Sequence, residues 1–442
     1  MNKNKFYRVL IVESIIGALI LLSAHFLEAM VIPLSLLAFA YTIWHHLKFI
    51  PHPEYSVTHL CYLVVSGVFG FFFAQTGINI NFIFFGLTAV STFNIIEVNK
   101  KPIIYVFLML LFALTNSLFN KYSAYSSTGD SSSVLTILFP IALFVFIYST
   151  IKNTTQLQLL YKSIFAAIII SAFDFLLVYL NGPLYSVTEE VVSKDDVTKV
   201  SGISNQVNQI ANYIAYITPI AVYGITKMDA KNKKWGILLL GSLLVLLIFM
   251  SSRSGIALVA LYFAFLIVFS TNTIRLGTRL VLLCLLSITY LWVVEYELPI
   301  FKKIKMQGDT GDEVRIAKIS EAWEIFMESP LIGIGINNYT SIAKEKFNNS
   351  FNTHNTLLSV IAEQGLVGII LFISIFITPF INYVRFKKKY QPNITELNKA
   401  VIISCTLIFI SFFTDHLQGN AVYYILIATA IKSTTLIQAE TT

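Results

Sequence analysis

FNTHNTLLSVIAEQGLVGIILF, residues 351–372, is the stretch on which the reading of this chain turns. It opens on Asn and His, then enters an apolar run, and about 20 apolar residues suffice for a helix to cross a hydrocarbon core. Yet the run carries Glu363, Gly365 and Gly368 where a plain anchor would carry Leu. If the helix runs unbroken from His354, a turn of about 100° per residue gathers His354, Leu358, Ile361, Gly365 and Gly368 on one stripe. Small residues in a membrane helix let a neighbouring backbone approach closely. The expectation is a helix whose glycines press on another helix, with the histidine at the outer end of that contact. Glu363 falls on the opposite side and is expected to act apart from His354.

The rest of the chain has the same character. Of its 442 residues, 56% are hydrophobic and 12% charged, with a mean hydropathy of +0.73. Soluble domains carry about 25% charged residues. Fourteen apolar blocks of span length lie near 8–25, 28–45, 59–75, 78–96, 102–119, 134–150, 163–181, 208–226, 235–250, 254–270, 277–294, 356–384, 397–414 and 421–437. Twelve spans result if the tight pairs near 28–45 or 59–96 are re-entrant. The fold class is therefore an all-α polytopic membrane protein of about 12–14 transmembrane helices with one large extracytoplasmic loop.

Positive residues collect in cytoplasmic loops. With the basic start inside, 20 of the 31 Lys and Arg fall inside and 11 outside, seven of those in one long outer loop. The net charge of +7 is then a topology signal rather than a nucleic-acid signal. Glu13 within the first apolar run, and no small-residue cleavage pattern after it, speak against a cleaved signal peptide. Cys61, Cys284 and Cys405 all lie in apolar blocks, and this scattered, odd set reads as small hydrophobes rather than disulfides or zinc ligands. No internal repeat is visible, whereas many transporters are built from repeated halves. Four regions follow: an N-terminal transmembrane bundle (1–200), central helices (201–294), an extracytoplasmic loop (295–355) and C-terminal helices (356–442).

Within the long loop, DTGDEVRIAKISEAWEIFMESP reads as one amphipathic helix. Thr310 and Glu313 form a capping box at its start, and Pro330 ends it. Helical spacing puts Arg315, Ile319, Ala322 and Phe326 on one stripe flanked by Trp323, with Ser320, Glu321, Glu324 and Glu328 on the other side. Arg315 so placed needs a partner. Arg253, in FMSSRSG, occupies a short turn between two spans on the same outer side. Two arginines offer planar forks suited to phosphate oxygens, and a histidine can take a proton near neutral pH. His354, Arg253 and Arg315 would together suit attack by a hydroxyl with departure of a diphosphate. Each alone has a plain reading: a snorkelling Arg253, a helix-capping His354, an Arg315 pinned by Glu363 or a loop acid. Their convergence on one side favours chemistry.

Other groups carry less. Asp312 and Glu313 suit the first turn of a helix, which accounts for them better than a cation held with Asp309 does. GIGINN, with Gly333 and Gly335, lacks the third glycine of a nucleotide fingerprint and reads as a tight turn whose amides could help cradle an anion. Asp174 and Glu13 lie within spans, where a proton-relay role stays open.

These residues carry a resemblance. HNTLLSVIAEQGLVG looks like the signature of O-antigen ligases, a family that also includes many bacterial polysaccharide polymerases: His354, Asn355, nine residues, Gly365, two residues, Gly368. SSRSG resembles the family's arginine turn, and VRIAKISEAWEIFMESPLIGIGINNY its periplasmic segment. VSGISNQVNQIANY resembles the entry to a middle span, matching at Gly202 and Asn208. The resemblance runs from about 200 to 370 and implies a membrane glycosyltransferase of the C type in the cytoplasmic (inner) membrane. Its donor would be a glycan on undecaprenyl diphosphate, transferred on the outer side without nucleotide, metal or other cofactor. The acceptor would be lipid A-core in a ligase or a growing glycan in a polymerase. A lipid-linked glycan flippase or another transporter is the reading from a different class. The implied roles are His354 as base, Arg253 and Arg315 as diphosphate ligands, and Asn355, Gly365, Gly368, Asn208 and Glu363 in support.

Overall fold

A computed structural model describes residues 56–69, 88–92, 100–119, 132–181, 207–250, 252–269, 317–348, 355–389, 396–413 and 421–441, with isolated positions at 12, 15, 37, 40, 41, 44, 85 and 353. Every regular element among these residues is helical. In chain order they are α1 (Ser56–Phe69), α2 (Lys101–Phe119), α3 (Ser132–Thr150), α4 (Thr154–Asn181), α5 (Val207–Thr226), α6 (Ala230–Phe249), α7 (Arg253–Phe269), α8 (317–328), α9 (Tyr339–Phe347), α10 (Thr356–Lys389), α11 (Glu396–Ser411) and α12 (Ala421–Thr441).

Ten of the fourteen apolar blocks coincide with α1–α7 and α10–α12. The blocks near 8–25, 28–45, 78–96 and 277–294 lie wholly or mostly outside the described residues. Stretches Thr154–Phe173 and Thr356–Arg385 are each long and apolar enough to cross a bilayer, and shorter apolar helices accompany them. This all-helical arrangement is consistent with a polytopic membrane protein. The largest boundary difference from the sequence reading is at α4, which begins at Thr154, not near 163. The cause is local, because the Asn153 side chain accepts the Gln156 N–H at 2.9 Å and its carbonyl accepts the Leu157 N–H. Such a cap lets a polar first turn join the helix.

The core runs through the bundle. α1 packs on α4, α3 on α12, and α5 lies between α7 and α11. At one end, the Phe376 ring lies 4.6 Å from both Phe372 and Phe412, and Phe412 stacks on Tyr423 at 5.2 Å. These rings tie α10 and α12 to the residue just beyond α11. A second, separate apolar cluster joins Ala322 and Ile325 of α8, Ile334, Tyr339, Ile342 and Ala343, and Ala362 of α10. The segment 317–348 thus has a small core of its own, seated on the first two turns of α10.

Candidate active site

Hydrogen bonds show which helix ends share a face. The Ser254 hydroxyl donates to Asn212 Oδ1 at 3.0 Å, tying the start of α7 to the first turns of α5. Tyr216 of α5 donates to Ser411 Oγ at 2.7 Å, and the Thr356 N–H donates to the Phe412 carbonyl at 2.8 Å. The starts of α5, α7 and α10 and the end of α11 therefore meet at one end of the bundle. Chain direction sends the basic segments KMDAKNKK and RFKKK to the opposite end.

At the shared end, Arg253 is the first residue of α7. Ser252 caps it: its carbonyl accepts the Ile256 N–H and its hydroxyl the Gly255 N–H. A Cβ on Gly255 would stand 3.0 Å from the Ala211 backbone, so α7 touches α5 directly here. A cation at a helix N-terminus opposes the helix dipole. The Arg253 side chain lies outside the described residues, as does that of Asn208. Asn208 stands one turn outward from Asn212, on the same face of α5.

His354 also lies outside the described residues, but both its neighbours are fixed. Thr353 is buried and hydrogen-bonded to Asn355 and Ser359. Asn355 Oδ1 accepts the Leu358 N–H at 3.0 Å, which makes Asn355 the N-cap of α10. The histidine thus precedes the cap rather than sitting on the helix.

The glycine stripe is corrected. α10 is not continuous: Gly365 has φ +63 and ψ −163, and the helix breaks there. The junction is closed by the turn 330–338 rather than by another helix. Ile334 and Gly335 N–H donate to the Ala362 and Glu363 carbonyls at 3.1 and 2.8 Å, and Leu366 and Val367 N–H donate to the Pro330 and Leu331 carbonyls at 2.9 and 3.1 Å. Backbone groups freed by a break in a membrane helix must find partners within the protein, and this turn supplies four. The Ile334 and Gly335 amides of GIGINN are thereby engaged with α10 carbonyls. Gly368 does not face a neighbouring helix either; the Gln364 side chain fills the space where its Cβ would stand.

Glu363 is buried at the same junction, where its Oε1 accepts the Tyr339 N–H at 3.3 Å at the start of α9. Burial, then the charges of Glu321 and Glu363, push the Tyr339 phenol well above its ordinary value. The amphipathic stripe of α8 is corrected as well: Ala322 and Phe326 are buried with Lys318 and Ile325, whereas Ile319 and Trp323 are exposed. Arg315, Glu13, Gly202, Asp309, Thr310, Asp312 and Glu313 lie outside the described residues, as does the side chain of Asp174.

Two positioning residues escaped the sequence reading. Asn212 could have been found as the second of two asparagines four apart in an apolar helix entry. Asn116 had no such signal. From the last turn of α2 its amide donates to the Ile332 carbonyl at 2.7 Å and the Glu363 carbonyl at 3.3 Å, stitching both sides of the junction. Asn116→Leu should remove both bonds, the one to the Glu363 carbonyl being buried and worth about 1–3 kcal/mol. The expected outcome is a lowered Tm in detergent and faster amide exchange over 330–338. Unchanged values of both would show the contact to be incidental.

Helices sided in this way, with polar groups gathered at one end and a turn threaded into a broken apolar helix, define an all-helical protein with a polar site at one end of its bundle. A family model described as O-antigen ligase matches residues 237–373, and this match supports an O-antigen ligase-related family for that segment. The matched stretch contains Arg253, Arg315, His354, Asn355, Glu363, Gly365 and Gly368; Asn116 and Asn208 precede it. No curated protein matches the chain.

Proposed function

We propose that the chain transfers a glycan from undecaprenyl diphosphate to an acceptor hydroxyl on the outer side of the cytoplasmic membrane, as an O-antigen ligase acting on lipid A-core. His354 takes the proton of the acceptor hydroxyl as its oxygen bonds to the anomeric carbon. The bond from that carbon to the phosphate oxygen breaks, and the diphosphate leaves with the electron pair. Arg253 and Arg315 hold the diphosphate and stabilise the charge that grows on it. A single displacement of this kind inverts the anomeric centre. Residues 1–200 serve as scaffold, 201–294 carry the arginine turn, 295–355 supply Arg315 and, at their end, His354, and 356–442 supply the helices that follow the histidine.

The observation that supports this reading most is the Ser252-capped start of α7. It sets Arg253 where a cation is disfavoured unless an anion binds, on the face shared with the start of α10. The basic segments at the far end of the bundle fit the cytoplasmic side.

The test is reconstitution in nanodiscs with a glycan on undecaprenyl diphosphate and lipid A-core as acceptor. The expected products are glycosylated lipid A-core and free undecaprenyl diphosphate. Lengthened donor in place of glycosylated acceptor would make the chain a polymerase, and no release of undecaprenyl diphosphate with either acceptor would end the proposal. Arg253→Lys and Arg315→Lys retain charge but lose the planar fork. Each should lose most transfer while staying folded; near-wild-type rates in both would reduce the arginines to structural roles.

A further inference from the structure

The circumference of α8 is divided into three sectors. Lys318, Ala322, Ile325 and Phe326 are buried against the protein. The next sector, roughly 80° wide at 100° per residue, carries Ile319, Trp323 and Met327, which are 51%, 53% and 60% exposed. The remainder carries Ser320, Glu321, Glu324 and Glu328, with Glu328 ion-paired to Lys346. A helix lying on a water-facing surface needs only a buried and a polar sector. An exposed apolar sector between them asks for a third environment.

The position of α8 supplies that environment. Beyond its end the apolar sector continues through exposed Leu331 and Ile332. The Pro330 and Leu331 carbonyls bind the Leu366 and Val367 amides, so the sector runs into the outward wall of α10 at Leu366 and Ile370. The level follows from the far end of that helix. From Arg385 up to Gly365 is 385 − 365 = 20 residues, roughly 30 Å at 1.5 Å per residue, which matches a hydrocarbon core of about 30 Å. The junction therefore stands at the hydrocarbon boundary, the level at which Trp is enriched and amphipathic helices lie in plane.

We infer that α8 is an interfacial helix whose Ile319–Trp323–Met327 sector is seated in the phospholipid bilayer beside the site. The inference rests on the membrane class of the chain and not on glycosyl transfer.

The test places a nitroxide, one position at a time, at 319, 323, 327, 320 and 324 of the full chain lacking Cys61, Cys284 and Cys405. The protein is reconstituted in vesicles of phosphatidylethanolamine and phosphatidylglycerol. Collisions with oxygen should exceed those with a water-soluble nickel chelate at 319, 323 and 327, and the order should invert at 320 and 324. Preference for the nickel chelate at all five positions would overturn the inference. So would immobilised labels shielded from both reagents at the apolar positions, which would mean a protein partner or a second copy. If the cysteine-free chain does not fold, Trp323 fluorescence is read with Trp44, Trp235 and Trp292 replaced by Phe. Quenching by brominated phospholipid is expected, and quenching by aqueous iodide alone would refute it. Neither readout needs donor or acceptor, so the result stands apart from that of the transfer assay.

Discussion

Gly365→Ala is expected to yield protein that is largely misassembled, although it adds a single methyl group. The φ and ψ of +63 and −163 fall in a region essentially reserved for glycine, where another residue costs on the order of 1–3 kcal/mol. The larger effect is steric. A Cβ at this position would stand 2.5 Å from the Leu331 carbonyl carbon and oxygen, and backbone cannot rotate away as a side chain can. The turn 330–338 must then lift from α10, which exposes four backbone hydrogen bonds to loss. At about 1–3 kcal/mol for each buried group left unpaired, the sum rivals a whole stability of about 5–15 kcal/mol. Gly333→Ala should fail alike, since its φ is +71 and its Cβ would meet the Glu363 backbone at 2.3 Å. Because both break one junction, the double variant should be little worse than either. Gly241→Ala is the control, a helical glycine with open space around it, and should be neutral or slightly stabilising. The measurement is the monodisperse fraction and Tm in detergent. Wild-type behaviour of Gly365→Ala would contradict the closure of the helix break by this turn.

How far these features were legible in the sequence depends on the range of the interaction behind each. Helix positions follow from runs of apolar residues, and ten described helices fall where those runs lie. The asparagine cap of α10 is also local, since Asn355 meets the N–H of Leu358 three residues on. The glycines at 365 and 368 were visible as departures from an apolar run, but periodicity assumes an unbroken helix. A break is set by what fills it, and the Pro330–Leu331 backbone that fills this one lies more than thirty residues away in sequence. Asn116 was invisible for the same reason. Its partners are 216 and 247 residues distant, and one asparagine near a helix end is an ordinary sight. In α8 the apolar residues were read as one stripe. Hydropathy alone does not separate a side chain facing protein from one facing lipid, and only the burial of Ala322 beside the exposure of Ile319 divides them.

His354→Ala should behave in the opposite way to Gly365→Ala: folded, and inactive. The contacts that fix the start of α10 belong to the residues on either side of the histidine. Thr353 binds Ser359, Asn355 caps the Leu358 amide, and the Thr356 amide binds the Phe412 carbonyl. None of these uses the imidazole, so they survive its removal, and the Tm should stay close to wild type. Loss of a general base lowers the rate by about 10²–10⁴-fold, enough to erase surface polymer in cells and product in nanodiscs. Donor binding, which the reading assigns to Arg253 and Arg315, should persist, so the loss should fall on kcat rather than on the KM for donor. Asn355→Ala provides the comparison. It removes the cap at a cost of about 1 kcal/mol, and should lower Tm and activity together because the adjacent histidine is loosened. An active His354→Ala would remove the base from the mechanism. An inactive variant with wild-type Tm and retained donor affinity would leave proton transfer as the function lost.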